Sequence, residues 1–278
     1  MKAVFIVFSP SGHTLIAARK FMHLLEDNGI SCHMINITKN DKYLQDFTIT
    51  KTLVNDLGEH HLLIPCAPVY AGHCEQNMLR IIRALTREKE KQIPAIPLVT
   101  YGGVHSSVAL EEMGKALNDG GYIPIMGIKI AAEHTLTATF KKQINPGLPG
   151  KVEDQILAEA AEITEKVLND KIAMVNVGKK LAYAPFLKRI MFRSFSQEKI
   201  HGKYKKVAIN TEKCIGCERC VAACPVNMFA HIDNTIQTVR DNKHCILCAE
   251  CYHHCPVKAI VHPYIEVARK RLSNGFAE

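Results

Sequence analysis

The sequence predicts an α/β chain in two parts, a doubly wound parallel sheet over residues 1–170 followed by a small α+β domain over residues 205–265. Before residue 170, apolar β-branched runs alternate with helical stretches five times, the pattern of a parallel sheet with helices on both faces. A doubled cysteine motif between residues 214 and 256 predicts the second part. The chain has 278 residues, which is too many for the cysteine-rich part alone.

The strands and helices of the first part follow one another in regular order. Strands are predicted over residues 2–8, 30–37, 61–65, 96–100 and 123–130. Helices are predicted, from apolar residues at helical spacing, over residues 15–25, 75–85, 107–118 and 152–168. Ligands in such sheets bind beyond the carboxyl ends of the strands, so we expect the loops after strands one, three and four to form one site.

The cysteine motif reads C-x2-C-x2-C-x3-C-P twice, and the second copy begins 31 residues after the first. Three cysteines at this spacing can wrap a tight loop around three irons of a cubane cluster, with the loop amides directed at the sulfurs. In the bacterial ferredoxin run, the fourth cysteine ligates the other cluster. The motif therefore predicts two [4Fe–4S] clusters, one held by Cys214, Cys217, Cys220 and Cys255 and the other by Cys245, Cys248, Cys251 and Cys224.

Zinc and disulfides are the alternatives for these cysteines. Structural zinc usually takes its ligands as two separated pairs, which a triad followed by Cys-Pro fits poorly. Disulfides need an oxidising compartment, and the apolar run at residues 3–8 is too short for a signal peptide. Both alternatives are therefore disfavoured.

Residues 205–264 resemble the bacterial two-cluster ferredoxin family, because they contain this doubled motif. The flanking segments fit as well. Residues 206–210 read as the first strand of such a domain and residues 259–261 as the last.

The loop after the first strand predicts a phosphate site. Ser9, Ser11 and Thr14 supply hydroxyl groups, Gly12 allows a tight backbone, and the following helix directs its free amides into the loop. The loop is neither a Walker motif nor G-x-G-x-x-G. An ordinary helix start, with Ser11 or Thr14 as the N-cap, is the alternative.

Two tyrosines extend this interpretation from phosphate to a flat ring. Tyr70 and Tyr101 each follow a predicted strand, and each lies next to glycines that let backbone amides approach a ligand. Two aromatic side chains on two loops can sandwich a planar ring, although each tyrosine alone is more often a rim residue. Together with the phosphate loop, they favour flavin mononucleotide (FMN).

Residues 1–170 resemble the flavodoxin family, whose phosphate loop S/T-x-S/T-G-x-T is matched by Ser9–Thr14 with His13 where asparagine is common. The resemblance implies the strand order 2-1-3-4-5 and an Ala71-Gly72 peptide that could turn toward a reduced flavin. The implied FMN-binding residues are Ser9, Ser11, Gly12, His13, Thr14, Pro68, Val69, Tyr70, Ala71, Gly72, Thr100, Tyr101, Gly102 and Gly103. The whole arrangement resembles the EFR1 family of fused ferredoxin proteins, which occurs mainly in anaerobes.

Charge and hydropathy limit the remaining functions. The formal net charge is +8, but two clusters and a flavin phosphate would lower it to roughly +2, so we expect no nucleic-acid partner. No apolar run approaches 18 residues, so we expect no membrane span and a cytoplasmic location. No Ser-His-Asp or paired-carboxylate arrangement predicts a catalytic residue.

The segments outside the two predicted cofactor sites have predicted roles of their own, and two of them have more than one possible role. Residues 171–204 are predicted to be a linker and residues 266–278 a C-terminal tail. Residues 132–150 are either a lid over the flavin or a surface loop. The apolar and basic segment 181–195 either packs between the domains or lies on a membrane surface.

The predicted function is electron transfer between FMN and two iron–sulfur clusters, which would couple one-electron and two-electron redox partners. The first alternative is a reductase that acts on a small oxidant, such as a quinone or nitro compound, at the flavin. The second is a ferredoxin with a docking domain that binds no flavin. No nicotinamide fingerprint is present, so direct oxidation of NAD(P)H is disfavoured.

Overall fold

The computed structural model describes residues 1–44, 53, 55–85, 92–102, 105–133, 150–193, 199 and 206–267. Its first part is a mainly parallel sheet, as predicted. The strands are β1 (Lys2–Val7), β2 (Ser31–Asn36), β3 (Leu62–Tyr70), β4 (His73–Cys74), β5 (Ile93–Ala95), β6 (Leu98–Tyr101), β7 (Tyr122–Pro124) and β8 (Ile128–Ala131).

The strand order confirms the prediction of a doubly wound sheet. β1 lies between β2 and β3, and the order continues through β5 to β7. β3 pairs with β5 at Leu63 and with β6 from Cys66 onward, so β5 and β6 are two segments of the predicted fourth strand, interrupted at Pro97. β7 and β8 divide the fifth strand in the same way. The resulting order, 2-1-3-4-5, is the flavodoxin-like one.

Helices cover both faces of the sheet. They are α1 (His13–Asp27), α2 (Asp41–Leu44), α3 (Gln76–Ala84), α4 (Ala109–Asp119) and α5 (Gly150–Leu168). Alternate residues of β1 point to opposite faces, so Phe5 packs with α1 and α5 whereas Val4 and Ile6 pack with α3 and α4. Both faces of the central strand are therefore buried.

The chain beyond α5 lies against the sheet domain. Leu181 is buried in a short turn, and its methyl groups fill the space beside Gly114 and Gly127, where a Cβ atom would lie within 2.7 Å of them. Helix α6 (Phe186–Arg193) follows, and the Arg189 guanidinium donates two hydrogen bonds to Glu111. These contacts fix α6 to the sheet domain. Residues 194 and 195 of the segment predicted for interdomain or membrane packing lie outside the described residues.

The second domain has the predicted outer strands, which pair with each other. β9 (Ala208–Ile209) pairs antiparallel with β12 (Ile260–Val261), and β10 (Phe229–Ile232) pairs with β11 (Thr235–Thr238). Two short helices, α7 (Arg219–Ala223) and α8 (Glu250–His253), follow the cysteine loops.

The two domains share a buried core and a polar contact. One cluster of buried apolar residues continues from the α3 and α4 face of the sheet into the cysteine domain. Beside it, the Lys39 amide donates to the Pro225 carbonyl at 2.7 Å, and Lys39 Nζ donates to the carbonyls of Val221 and Ala222 at the end of α7. A cation is favourable at a helix C-terminus, so Lys39 stabilises the contact between the domains.

Within the described ranges, no helix is both long and apolar enough to cross a membrane.

Candidate functional site

A cleft lies at the carboxyl ends of β1, β3 and β6, where the loops were predicted to meet. It encloses about 100 Å³. The predicted residues that line it are Ser11, His13, Pro68, Val69, Tyr70, Ala71, Thr100, Tyr101 and Gly102. Ser9, Gly12, Thr14 and Gly72 are not among its lining residues, and Gly103 lies outside the described residues.

The residues of the first loop that do not line the cleft build its framework. Ser9 Oγ accepts a hydrogen bond from the Leu15 amide at 2.9 Å, and the hydroxyls of Thr14 and Thr100 are joined at 2.7 Å in a buried position. Thr14 therefore ties the first loop to the end of β6. The alternative of Ser11 or Thr14 as the N-cap is wrong, because Gly12 occupies the N-cap position of α1 with φ of 87° and has no side chain to cap the helix.

The start of α1 offers free hydrogen-bond donors to this cleft. None of the described residues accepts a hydrogen bond from the amides of His13 and Thr14. These amides lie at the positive end of a 15-residue helix, where an anion is stabilised. The donors fit the phosphate of FMN.

The second loop differs from the prediction in one respect. Pro68, Val69 and Tyr70 belong to β3 itself, which continues past Pro65 because β6 pairs with it on one side and β4 forms a hairpin with its end. Ala71 and Gly72 form the hairpin turn with φ of 53° and 82°.

Two residues that do not line the cleft, Val108 and Phe192, hold Gly72 in place. Its carbonyl accepts a hydrogen bond from the Val108 amide at 3.0 Å, and the Phe192 ring approaches so closely that a Cβ atom would lie 2.9 Å from it. Glycine is required here both for the positive φ and for this close approach.

The two predicted tyrosines do share the cleft. Desolvation raises the pKa of Tyr70 well above its ordinary value, and the negative charges of Cys248, Glu75 and Glu250 add to this effect. The cleft volume is below the roughly 300–1,000 Å³ that is usual for ligand pockets, so the cleft would have to widen to admit a flavin ring. The aromatic lining fits such a ring, and the free amides fit its phosphate.

Two residues of the cysteine domain, Leu247 and Tyr264, also line the cleft. The sequence reasoning missed both. Leu247 lies between Cys245 and Cys248 and has φ of 56°, a conformation that is uncommon for a bulky side chain. A large residue at the position where the first cysteine loop has Gly216 was the available signal. The second cysteine loop therefore forms one wall of the predicted flavin cleft.

The four cysteines predicted for the second cluster surround one small cavity. Cys224, Cys245, Cys248 and Cys251 all line it, although Cys224 comes from the first copy of the motif. All four side chains are buried. Burial raises the pKa of Cys245 to about 11, against an opposing hydrogen bond from the Leu247 amide.

In the other set, Cys214 is half-buried and Cys217 is exposed, whereas Cys220 and Cys255 are buried. Burial raises the pKa of the Cys220 thiol, against hydrogen bonds from the backbone amides of Val221 and Cys220. Cys217 is exposed, and the neighbouring Ile215 is 64% exposed. The two predicted cluster positions therefore differ in their access to solvent.

The backbone repeats with the sequence. Three pairs of residues 31 positions apart have positive φ in both copies, namely Gly216 and Leu247, Glu218 and Ala249, and Asn227 and Lys258. The Met228 amide donates to Cys224 Sγ at 3.2 Å, and the Ala259 amide donates to Cys255 Sγ at the same distance. Amide donors to sulfur suit thiolates that hold an iron–sulfur cluster.

Among the described residues, no three His, Cys, Asp or Glu side chains are grouped as ligands of a single metal ion. A cubane does not need such a group, because each thiolate binds a different iron.

The histidines near the cleft have protein contacts. His73 Nδ1 lies 2.7 Å from Glu112 Oε1, and its Nε2 lies 2.9 Å from the Phe192 carbonyl oxygen. The His105 ring packs edge-on against Phe192. These contacts join α6 to the turn at Gly72, and a proton-transfer role for either histidine stays a prediction.

The fold and the doubled motif define a flavodoxin-like domain followed by a two-cluster iron–sulfur domain. Comparison with known families agrees, because the 4Fe-4S dicluster domain family matches residues 206–256. No curated protein matches the chain.

Solved structures resemble the first part of the chain. The two-electron reduced Megasphaera elsdenii flavodoxin is 13% identical, with a TM-score of 0.39 over 57% of this chain and 97% of its own. The oxidised Flavodoxin 1 of Bacillus cereus is 13% identical, with a TM-score of 0.41 over 62% of this chain and 100% of its own. The azoreductase AzrA is 12% identical, with a TM-score of 0.42 over 60% of this chain and 100% of its own.

Proposed function

We propose that this chain transfers electrons between FMN and two [4Fe–4S] clusters, and so couples two-electron to one-electron redox partners. The observation that carries the proposal is the position of Leu247, which belongs to the second cysteine loop and lines the predicted flavin cleft. In a bound state, FMN supplies one- or two-electron chemistry and each cluster supplies one-electron chemistry. The chain's own residues hold these groups close together.

Each set of residues has a separate part in this function. The amides at the start of α1 bind the flavin phosphate, and Tyr70 and Tyr101 contact the ring. The second cluster, held by Cys224, Cys245, Cys248 and Cys251, is the one next to the flavin cleft.

The first cluster, held by Cys214, Cys217, Cys220 and Cys255, is the exchange point with a partner protein. Exposure of Cys217 and Ile215 supports this assignment, because electron transfer between proteins needs a short distance between the cofactors. The donor and the acceptor in this proposal are redox proteins.

A second function, reduction of a small oxidant, is favoured by a cavity on the far side of Tyr101. It encloses about 440 Å³, and its lining includes His105, Lys129 and Tyr183. Lys129 Nζ lies 4.7 Å from the Tyr183 ring centroid, so the cavity joins an aromatic surface to a cation. A planar, electron-poor oxidant would suit it.

An anaerobic reductive titration tests the proposed function. The loaded protein should take up about four electrons per chain, two at the flavin and one at each cluster, with flavin and cluster absorbance changing in the same molecules. Uptake of only about two electrons, without a flavin signal after FMN has been added, would contradict the proposal and favour a docking domain that binds no flavin. Turnover of a quinone without any partner protein would favour the reductase.

A further inference from the structure

His262 is a buried imidazole without a hydrogen-bond partner. His262 directly follows β12, and it is 1% exposed. Neither ring nitrogen contacts a donor or an acceptor within the described residues. Burying a polar group without a hydrogen bond is unfavourable, and most buried polar groups in proteins are paired. Since no described residue is its partner, the ring has room for a partner that the cysteine domain binds.

The place of His262 indicates what that partner is. The side chain lines the small cavity that Cys224, Cys245, Cys248 and Cys251 surround. The other residues that line this cavity are apolar or contribute backbone, with Val207, Met228 and Phe229 among them. A neutral imidazole always has one N–H donor. Apart from His262 itself, the side chains that line the cavity include no oxygen or nitrogen acceptor, so sulfur is the acceptor that this cavity can supply.

The other copy of the repeat contains a natural comparison. His231 occupies the equivalent position, 31 residues before His262. Its side chain is 38% exposed, and its Nδ1 lies 2.7 Å from Glu218 Oε1. The histidine of the first copy therefore has a carboxylate partner at the surface. The histidine of the second copy is buried and has no hydrogen-bond partner among the described residues.

We propose that His262 donates a hydrogen bond to a sulfur of the cluster held by Cys224, Cys245, Cys248 and Cys251, and thereby raises the reduction potential of this cluster. The inference rests on the proposed function, because it needs that cluster. Reduction adds negative charge to the sulfurs, so a donor stabilises the reduced form more than the oxidised form. His262 is a positioning and tuning residue in this scheme, and it ligates no iron. The electron is then held preferentially at the cluster beside the flavin cleft.

Pulsed EPR of the reduced holoprotein tests the hydrogen bond without any mutation. In protein labelled with ¹⁵N at histidine, the reduced cluster whose signal is lost in Cys245→Ala should show a weak ¹⁵N coupling. A strong coupling, as expected for direct ligation, would overturn the inference, and so would no coupling in a sample with about eight irons per chain. A sample that never reaches eight irons contradicts the proposed function instead.

Variants then test the effect on potential. His262→Leu should lower the equilibrium constant for reduction of this cluster about tenfold, which corresponds to about 59 mV for one electron. His262→Gln retains an N–H donor and should restore most of the loss. The matched control, His231→Leu, should leave both potentials unchanged. Equal potentials in wild type and His262→Leu, at full iron content, would overturn the inference.

Discussion

Leu247 and Tyr70 line the same cleft, although one belongs to a cysteine loop and the other ends a strand of the sheet. The charge of Cys248, one residue beyond Leu247, contributes to the raised pKa of Tyr70. Residues of both domains therefore line the predicted flavin cleft. The first prediction below depends on this shared cleft.

Replacing Leu247 should weaken flavin binding without loss of the clusters. Leu247→Gly removes an apolar wall of the cleft but suits the positive φ, so the loop should keep its shape. We expect FMN affinity to fall about five- to tenfold and the iron content to stay at about eight per chain, as measured by flavin fluorescence and iron assay. Ile215→Gly, in the exposed part of the first loop, is the control and should leave FMN affinity unchanged. Equal affinity in Leu247→Gly and wild type would contradict the position of the flavin.

The two glycines at the ends of α1 provide a matched pair. Gly12 and Gly29 have φ of 87° and 77°, and neither has an atom within 4 Å of the place where a Cβ would lie. Each substitution by alanine should therefore destabilise the fold by about 1 kcal/mol through backbone strain alone.

Only Gly12→Ala should also weaken FMN binding, because only Gly12 shapes the loop that is predicted to bind the phosphate. Thermal unfolding and flavin titration of both variants measure the two effects. An equal loss of FMN affinity in Gly29→Ala would show that the effect at Gly12 is general destabilisation.

Cys224 should ligate the cluster of the second motif. Cys224→Ala is expected to abolish the EPR signal that Cys245→Ala abolishes and to retain the signal that Cys214→Ala abolishes. The reason is that Cys224 shares a cavity with Cys245 and not with the first cysteine triad. Iron should fall from about eight to about four per chain in a stable variant. If Cys224→Ala instead matched Cys214→Ala, the crossed ligation would be wrong.

Glu75 should make the stability of the fold depend on pH. The side chain is fully buried at the start of α3, and burial raises its pKa to about 7, against hydrogen bonds from the amides of Asn77 and Met78. The folded state therefore binds a proton that the unfolded state has released. The contribution of Glu75 to the free energy of unfolding should be highest below about pH 4.5. It should fall as the pH rises to about 7, by up to about 3 kcal/mol.

Thermal unfolding of wild type and Glu75→Gln between pH 5 and 8 tests this dependence. Glutamine keeps an acceptor for the two amides and does not titrate, so the variant should lose the part of the pH dependence that Glu75 causes. Glu159→Gln, an exposed position on α5, is the control. The same slope with pH in Glu75→Gln and wild type would contradict the raised pKa.

The sheet order and the outer strands of the second domain could be predicted because each depends on local patterns. The apolar run at residues 2–8 must be a central strand, and the repeated motif fixes its own spacing. The extension of β3 to Tyr70 was missed because it depends on pairing with two other strands. One of them, β6, is distant in the sequence, and the other, β4, has only two residues. Leu247 and His262 were missed for a related reason. The role of Leu247 depends on how the two domains pack, and the role of His262 depends on how the cysteine domain folds around the cavity that His262 lines. No periodicity in the sequence encodes either arrangement.

The central claim is that one chain holds FMN and two [4Fe–4S] clusters. Measuring iron, zinc and FMN per chain on a single anaerobically purified sample tests it most directly. We expect about eight irons, about one FMN and no stoichiometric zinc. Zinc in place of iron after anaerobic reconstitution, or eight irons with no flavin uptake from added FMN, would contradict the claim.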